Sequence, residues 1–135
     1  MSRQSIPKEA QMPPVYNKAR FLVRQIMEST KKAPREIKYG YIADIVNTGL
    51  RLMEDIFKAS KATKDLNRVT HIDEAISKLN DIKMKVRIIH DVNALTTKGF
   101  SAVINYEADV IYQLTSWKKS LINNNNFIIF PAEDK

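Results

Sequence analysis

Few side chains in this sequence could act as a nucleophile or a general base. The 135 residues include no cysteine and two histidines, His71 and His90. A nucleophile activated by histidine would have to use one of these two. His71 lies where a helix is predicted to begin, which is typical of a solvated residue, and His90 lies beside an apolar helical stripe, which is typical of a packed one. We therefore predict no catalytic residues and a protein that is not an enzyme.

Metal and cofactor sites have no better support. Four-helix proteins that bind two metal ions repeat Glu-x-x-His on two inward-facing helices. The segment from His71 to Glu74 carries these residue types once, in the opposite order and at a helix end. The glycines, Gly40, Gly49 and Gly99, are too far apart for a glycine-rich phosphate loop. We predict neither a metal nor a cofactor.

Basic side chains are more abundant. Lysine and arginine total 22 against 15 acidic residues, which gives a formal net charge of +7, and the excess lies between the two ends of the chain. A folded domain with this excess attracts polyanions, nucleic acids first, although many basic proteins bind none. Such contacts release counterions from phosphates and confer little sequence specificity. The charge therefore favours a nucleic-acid surface that reads backbone and shape.

Four groups of basic residues could form that surface. In the third predicted helix, Lys83 and Arg87 lie four residues apart on one edge of an apolar stripe. Lys78 and Lys85 flank the other edge. The remaining groups are the corner between the first two helices (Lys31, Lys32, Arg35, Lys38), the connection after the second helix (Lys58, Lys61, Lys64, Arg68) and the end of the fourth (Lys118, Lys119).

Helices are predicted to position these side chains, because apolar residues recur at i, i+3, i+4 and i+7. The clearest stripe, in residues 71–92, consists of Ile72, Ala75, Ile76, Leu79, Ile82, Val86 and Ile89, with Thr70 as the predicted N-cap. Further helices are predicted over residues 16–32, over residues 37–59, and from Thr97 or Ser101 to 122. Short connections and no strand pattern favour an all-α, up-down-up-down four-helix bundle over residues 16–122.

Several positions predict specific contacts. The apolar positions of the second helix cover about half its circumference, so it either contacts a neighbouring subunit, with Leu52 at the interface, or is the most central helix. Gly49 within that face favours close approach of another helix. Glu107 lies inside the apolar stripe of the fourth helix, and Lys83 or Arg87 is its hypothesised cationic partner.

The ends and the large aromatic residues complete the prediction. Residues 1–15 are predicted to be a flexible segment, and residues 123–135 an Asn-rich linker with an apolar tail. The Phe-Ile-Ile-Phe run favours docking on the core, another subunit or a partner over disorder. The predicted interface residues, besides Leu52, are Tyr106, Trp117, Phe127 and Phe130.

The sequence also predicts a cytoplasmic protein without a membrane partner. No apolar run approaches the length of a membrane span, and no apolar stretch of a signal peptide follows the first basic residues. The lack of cysteine fits a reducing compartment.

Three segments together resemble one protein family. They are Ala33-Pro-Arg-Glu-Ile-Lys-Tyr-Gly40 at the helix corner, Leu79-x-x-Ile82-Lys83-x-x-Val86-Arg87-Ile-Ile89 in the third helix, and Ala108-Asp-Val-x-x-x-Leu114-x-Ser-Trp117 in the fourth. The sequence is similar there to the accessory variability determinants of diversity-generating retroelements, which are related to four-helix-bundle proteins encoded in ribosomal RNA intervening sequences. The resemblance spans residues 16–122. Thr115 stands where the family tends to have glycine.

The resemblance implies a basic, non-catalytic bundle that assembles as a homopentamer. It implies binding to the reverse transcriptase and template RNA of the retroelement, in support of error-prone cDNA synthesis, with DNA as a further polyanion. Lys83 and Arg87 match the family's basic pair, Arg35 its corner residue and Trp117 its last aromatic residue. The alternatives are an intervening-sequence relative with no polymerase partner and a purely structural oligomeric module.

Overall fold

The computed structural model describes residues 12–125, so residues 127–130 of the apolar tail, including Phe127 and Phe130, lie outside the described part. Within it the chain forms four long helices: α1 (Pro14–Ser29), α2 (Ala43–Lys61), α3 (Asp65–Asp91) and α4 (Thr97–Asn125). Each helix packs against the next in the chain, and α1 also packs against α4. The described residues are therefore an all-helical bundle, as the periodicity predicted. In this part of the chain, no helix has the length and apolar character needed to cross a membrane.

Helix α1 begins and ends two to three residues earlier than its predicted bounds. Pro14 occupies the first helical turn. Backbone N–H groups have no partner within the helix there, so the missing N–H of proline costs nothing. Val15, which was predicted to belong to the flexible segment, is buried in the core. The helix stops because Thr30 leaves helical geometry, and its buried hydroxyl donates to the carbonyl of Ile26 at 2.7 Å. Lys31 therefore lies in the following turn and not in the helix.

The segment before α2 contains a feature that periodicity did not predict. After Pro34, a single helical turn, Arg35–Ile37, leads into a π-helical segment, Lys38–Ile42, which continues directly into α2. π-Helical turns are rare and are often found at functional sites. Here the segment presents Tyr39 and Tyr41 to solvent.

Helix α3 is longer than predicted at its start. Lys64 is extended and acts as the N-cap, and Asp65 lies in the first turn, where an acidic side chain is favourable. The prediction that Thr70 caps the helix is wrong, because Thr70 lies inside α3 and its hydroxyl donates to the carbonyl of Leu66 at 3.2 Å. The helix extends this far because buried Val69 continues the apolar stripe by one turn.

The end of α3 is a Schellman motif. Asn93 adopts a φ of 62°, in the left-handed region that asparagine tolerates better than most residues. The N–H of Asn93 donates to the carbonyl of His90, and the N–H of Ala94 donates to that of Ile89, both at 2.9 Å. This stop lies close to the predicted end, and a short connection leads from it to α4.

Gly49 and Gly99 permit close packing against α1. A Cβ atom on Gly49 would lie 2.6 Å from Cγ2 of Val23, and one on Gly99 would lie 2.7 Å from Cβ of Ser29. The prediction that Gly49 marks a close helix approach is confirmed. The core around these contacts contains side chains from all four helices, among them Leu22, Ile45, Leu52, Leu79 and Leu114.

Candidate nucleic-acid interface

Six of the predicted basic residues lie near contacts that join the helices. Gly99, near the start of α4, lies against Ser29 at the end of α1, and Nζ of Lys85 in α3 lies 2.6 Å from Oδ2 of Asp44 in the first turn of α2. We define the basic end by its predicted residues: Lys31, Lys32, Arg35, Lys38, Lys83 and Arg87. The basic end thus combines two groups that are separate in sequence.

Lys83 and Arg87 are exposed on α3, on its side next to α4. They border a cleft of about 210 Å³ between these helices, which is also lined by Met84, Phe100, Ile104 and Glu107. The Arg87 guanidinium lies 5.9 Å from the centre of the Phe100 ring. Within residues 12–125, neither cation has a carboxylate within 4.0 Å, so both charges remain available to a polyanion.

Glu107 lies at the base of this cleft and is almost completely buried, with 2% of its surface exposed. Its Oε2 atom has no hydrogen-bond partner in the described part of the chain. Burial raises the pKa of Glu107 to about 7, while the positive charges of Lys83 and Arg87 act in the opposite direction. Lys83 or Arg87 was hypothesised to pair with Glu107. Both lie in the same cleft as Glu107, but neither forms a direct ion pair with it.

Lys78 and Lys85, which were predicted to flank the other edge of the stripe, form ion pairs within the fold. Nζ of Lys78 lies 2.6 Å from Oδ2 of Asp55, a carboxylate that is buried between α2 and α3. Lys85 contacts Asp44 and Asp81, which raise the pKa of Lys85, and Lys85 in turn lowers the pKa of Asp44. These two lysines contribute less positive potential to solvent than the sequence pattern alone indicated.

At the helix corner, a basic side chain lies against one of the two exposed tyrosines. The Arg35 guanidinium lies 5.6 Å from the centre of the Tyr39 ring. Nζ of Lys38 donates to the carbonyl of Lys31 at 2.9 Å, whereas the Lys31 ammonium pairs with Glu28. Lys32 is exposed. Aromatic rings beside guanidinium groups are a combination that binds single-stranded bases and phosphates.

Sequence reasoning missed a second basic pair, on α1. The guanidinium carbons of Arg20 and Arg24 lie 5.2 Å and 5.1 Å from the centre of the Phe21 ring. That ring in turn lies 6.3 Å from the ring of Tyr106 on α4. Phe21 is thus half-buried against Tyr106 within the bundle. The four-residue spacing of the two arginines around Phe21 was the signal that could have identified the pair.

The two basic pairs flank the same stretch of α4. Arg20 and Arg24 approach it from α1 through Phe21 and Tyr106, and Lys83 and Arg87 approach it from α3 at Phe100 and Ile104. The exposed residues from Ser101 to Ala108 carry no charge, and the next residue, Asp109, pairs with Lys18 of α1 at 3.7 Å. We define the α4 face as this stretch with its flanking cations: Ser101, Ile104, Asn105, Ala108, Arg20, Arg24, Lys83 and Arg87.

The predicted interface residues have different environments. Leu52 is fully buried in the core, so it cannot contact a second subunit in this conformation. Tyr106 and Trp117 are partly buried against the core. The exposed margin of α2 is formed instead by Leu50 and Phe57, at 46% and 39% exposure, which border a cleft of about 360 Å³ with Tyr16, Met53 and Glu54. The wide apolar face of α2 thus packs in the core, except for a margin at Leu50 and Phe57 that is exposed to solvent.

A further apolar surface runs along the outside of α3. Met84, Ile88 and Val92 follow one another at four-residue spacing, and each is more than half exposed. Ile88 also lines a cleft with Tyr41 of the π-helical segment. We define the apolar strip of α3 as Met84, Ile88 and Val92. It lies between Lys83 and Arg87 on one side and Lys85 on the other.

The histidines make local contacts. The ring of His90 stacks on Phe100 with centroids 4.1 Å apart and an angle of 4° between planes. Nδ1 of His71 lies 3.4 Å from Oε1 of Glu74, one turn later in α3. Among residues 12–125, no cluster of three or more histidine or acidic side chains could hold a metal ion.

Comparison with known proteins adds no relative to this description. The chain matches no family model, and no curated protein matches it.

Proposed function

We propose that this protein is a non-enzymatic accessory protein of a diversity-generating retroelement, which binds the template RNA and the reverse transcriptase during mutagenic cDNA synthesis. In this proposal the protein is cytoplasmic, has the up-down-up-down order of helices, and assembles as a homopentamer. The sequence resemblance supports this choice of partners, and in this proposal the RNA binds at the α4 face.

The observation that carries the RNA-binding part is the placement of two cationic pairs on both sides of one uncharged stretch of α4. Lys83 and Arg87 lack carboxylate partners within the described residues, and Arg20 and Arg24 contact aromatic rings. Four cations around one surface neutralise phosphates at several points of a strand, and the exposed Tyr39 and Tyr41 offer rings for stacking. DNA strands satisfy the same contacts, so binding is expected to favour backbone over sequence.

The reverse transcriptase requires a different kind of surface, and the apolar strip of α3 is suited to it. Exposed apolar residues bordered by charges are typical of protein–protein interfaces. The open margin of α2, with Leu50 and Phe57, is a second apolar surface, which we assign to contacts between subunits. With two such surfaces, one protein can assemble with itself and still bind a polymerase.

RNA binding is tested by titrating template RNA at several salt concentrations. We expect Lys83→Glu with Arg87→Glu to weaken binding and to reduce the slope of log K against log salt by about 1.4, because two phosphate contacts are lost. The matched control is Lys64→Glu with Lys119→Glu, which changes the charge equally at exposed positions away from the basic end. Equal loss in both pairs, or no RNA binding at low salt, would contradict the proposal.

The polymerase partner is tested by sequencing the genes that flank this one and by co-purification with any reverse transcriptase found there. Ile88→Asp is expected to abolish the complex, whereas Leu66→Asp, at an equally exposed position of α3 far from the strip, is expected to leave it intact. Light scattering measures the oligomer. A pentamer that binds neither RNA nor polymerase would favour the structural module, to which the exposed margin of α2 also lends support.

A further inference from the structure

The cleft between α3 and α4 has an unusual distribution of charge for a phosphate-binding surface. Its base is a carboxylate, Glu107, whereas its rim carries Lys83 and Arg87. Glu107 has 2% of its surface exposed, and its Oε2 atom has no hydrogen-bond partner in the described residues. A buried polar group without a partner is unfavourable, so this atom is a strong candidate for contact with a bound molecule.

The chemistry of Glu107 limits what that molecule can be. An ionised carboxylate only accepts hydrogen bonds, so the ligand must present donors, and two parallel donors would engage both oxygens. A cationic donor would be repelled by Lys83 and Arg87 at the rim. A neutral donor edge attached to an anion satisfies both parts of the cleft.

The walls of the cleft favour a planar ring. Phe100 is held in place by its stacking on His90, and Met84 and Ile104 supply apolar surface on the same cleft. Aromatic rings and guanidinium planes are the surfaces on which unpaired bases stack in RNA-binding proteins. The volume of about 210 Å³ is of the size of a single base. Met84 is 59% exposed, so part of the rim is a flexible side chain that can move while the helices stay in place.

We propose that this cleft binds one unpaired guanine nucleotide, whose N1–H and N2–H₂ groups donate to Glu107 and whose phosphate contacts Lys83 and Arg87. Among the four RNA bases, guanine alone presents two adjacent donors on its Watson–Crick edge. Adenine and cytosine present one donor beside an acceptor, and the acceptor would face a carboxylate oxygen. The inference rests on the proposed RNA binding and adds base specificity at one position.

The test compares single-stranded oligouridines of one length that carry guanosine, inosine, adenosine or no substitution at the centre. Binding is measured by fluorescence anisotropy above pH 7, where Glu107 is charged. We expect the guanosine strand to bind at least about tenfold more tightly than the adenosine strand, with inosine between them because it lacks the N2 amino group. Equal binding of all strands would overturn the guanine site and leave the RNA-binding proposal standing.

Two variants separate base recognition from phosphate binding. Glu107→Gln keeps the size of the side chain but replaces one acceptor by a donor, so it should abolish the preference for guanosine while oligouridine still binds. Lys83→Gln with Arg87→Gln should weaken all strands by the same factor. Retention of the guanosine preference in Glu107→Gln, in protein with an unchanged circular dichroism spectrum, would overturn the assignment.

Titration with guanosine monophosphate and adenosine monophosphate, followed by NMR, tests the site without RNA. Glu107-dependent binding of the guanine nucleotide supports the site even if no RNA binds, an outcome that would overturn only the RNA-binding function. Equal binding of the two nucleotides would overturn the guanine site, as would equal binding of the oligonucleotides.

Discussion

Asp55 and Glu107 are both carboxylates buried next to α3, but they are stabilised in opposite ways. Asp55, on α2, is 4% exposed and has Nζ of Lys78 at 2.6 Å. Glu107, on α4, is 2% exposed, has an unpartnered oxygen, and shares an open cleft with two cations that do not contact it. Helix α3 thus places cations near both carboxylates. Lys78 forms an ion pair with Asp55, whereas Lys83 and Arg87 form none with Glu107.

The difference separates lysines that hold the fold together from those that face outward. An ion pair with a buried carboxylate largely cancels both charges as seen from solvent, so the main role of Lys78 in this structure is to compensate the charge of Asp55. Around Glu107, where no ion pair forms, the cations remain exposed and one carboxylate oxygen has no hydrogen-bond partner. That state is less stable but is prepared for a ligand, as expected where function and stability compete.

The largest predicted effect concerns the pH dependence of Glu107. Because burial places its folded-state pKa at about 7, above the ordinary value of 4.5, the folded protein holds this proton more tightly than the unfolded chain. The stabilising proton is fully present below the lower value and is lost as pH rises to about 7. From these two values of about 7 and 4.5, wild type should lose roughly 3 kcal/mol of unfolding free energy relative to Glu107→Gln across that window.

Urea denaturation of both proteins below and above this window measures the difference, and the paired design cancels the titration of all other groups. A constant difference between wild type and Glu107→Gln at all pH values would mean that Glu107 is solvated or paired. The contrast with Asp55 would then fail.

Part of this contrast was predictable from sequence. Helical periodicity placed Glu107 in an apolar stripe and Lys83 and Arg87 on the edge of another, which was enough to predict that they would lie near each other but not whether they would form an ion pair. Distances could not be predicted, since a shift of one turn between neighbouring helices moves side chains by about 5 Å. For the same reason the pairing of Lys78 with Asp55, and of Lys85 with Asp44, could not be obtained from patterns within single helices.

Some local features of the fold could also be predicted from the sequence, and others could not. Gly49 was interpretable because a glycine in an apolar helical face has few other uses, and its contact with Val23 confirms the prediction. The π-helical segment Lys38–Ile42 left no pattern that distinguishes it from an ordinary helical start. The spacing of Arg20 and Arg24 around Phe21 is visible in the sequence, but the contact of Phe21 with Tyr106 on α4 is not.

The second prediction tests the closed pair. Lys78→Met keeps the length of the side chain but leaves Asp55 buried without its cation, which should cost about 2–3 kcal/mol of unfolding free energy, somewhat less than for a fully buried pair because Lys78 remains partly exposed. Chemical denaturation at neutral pH measures this loss. Asp55→Asn with Lys78→Met should recover part of it, since no unpaired charge remains. If Lys78→Met left the unfolding free energy unchanged, the pair between Lys78 and Asp55 would not contribute to stability.

The smallest effect is predicted for the open cleft. Lys83→Met with Arg87→Met should change the unfolding free energy by less than about 1 kcal/mol, because both cations are exposed and neither contacts Glu107. The same change should move the pKa of Glu107 upward, since these two charges oppose the effect of burial. Titration of the Glu107 carboxyl carbon by NMR measures that direction. If the double variant instead lost as much stability as Lys78→Met, the two cations would be partners of Glu107 in solution, and the α4 face would be a closed ion-pair cluster like that at Asp55.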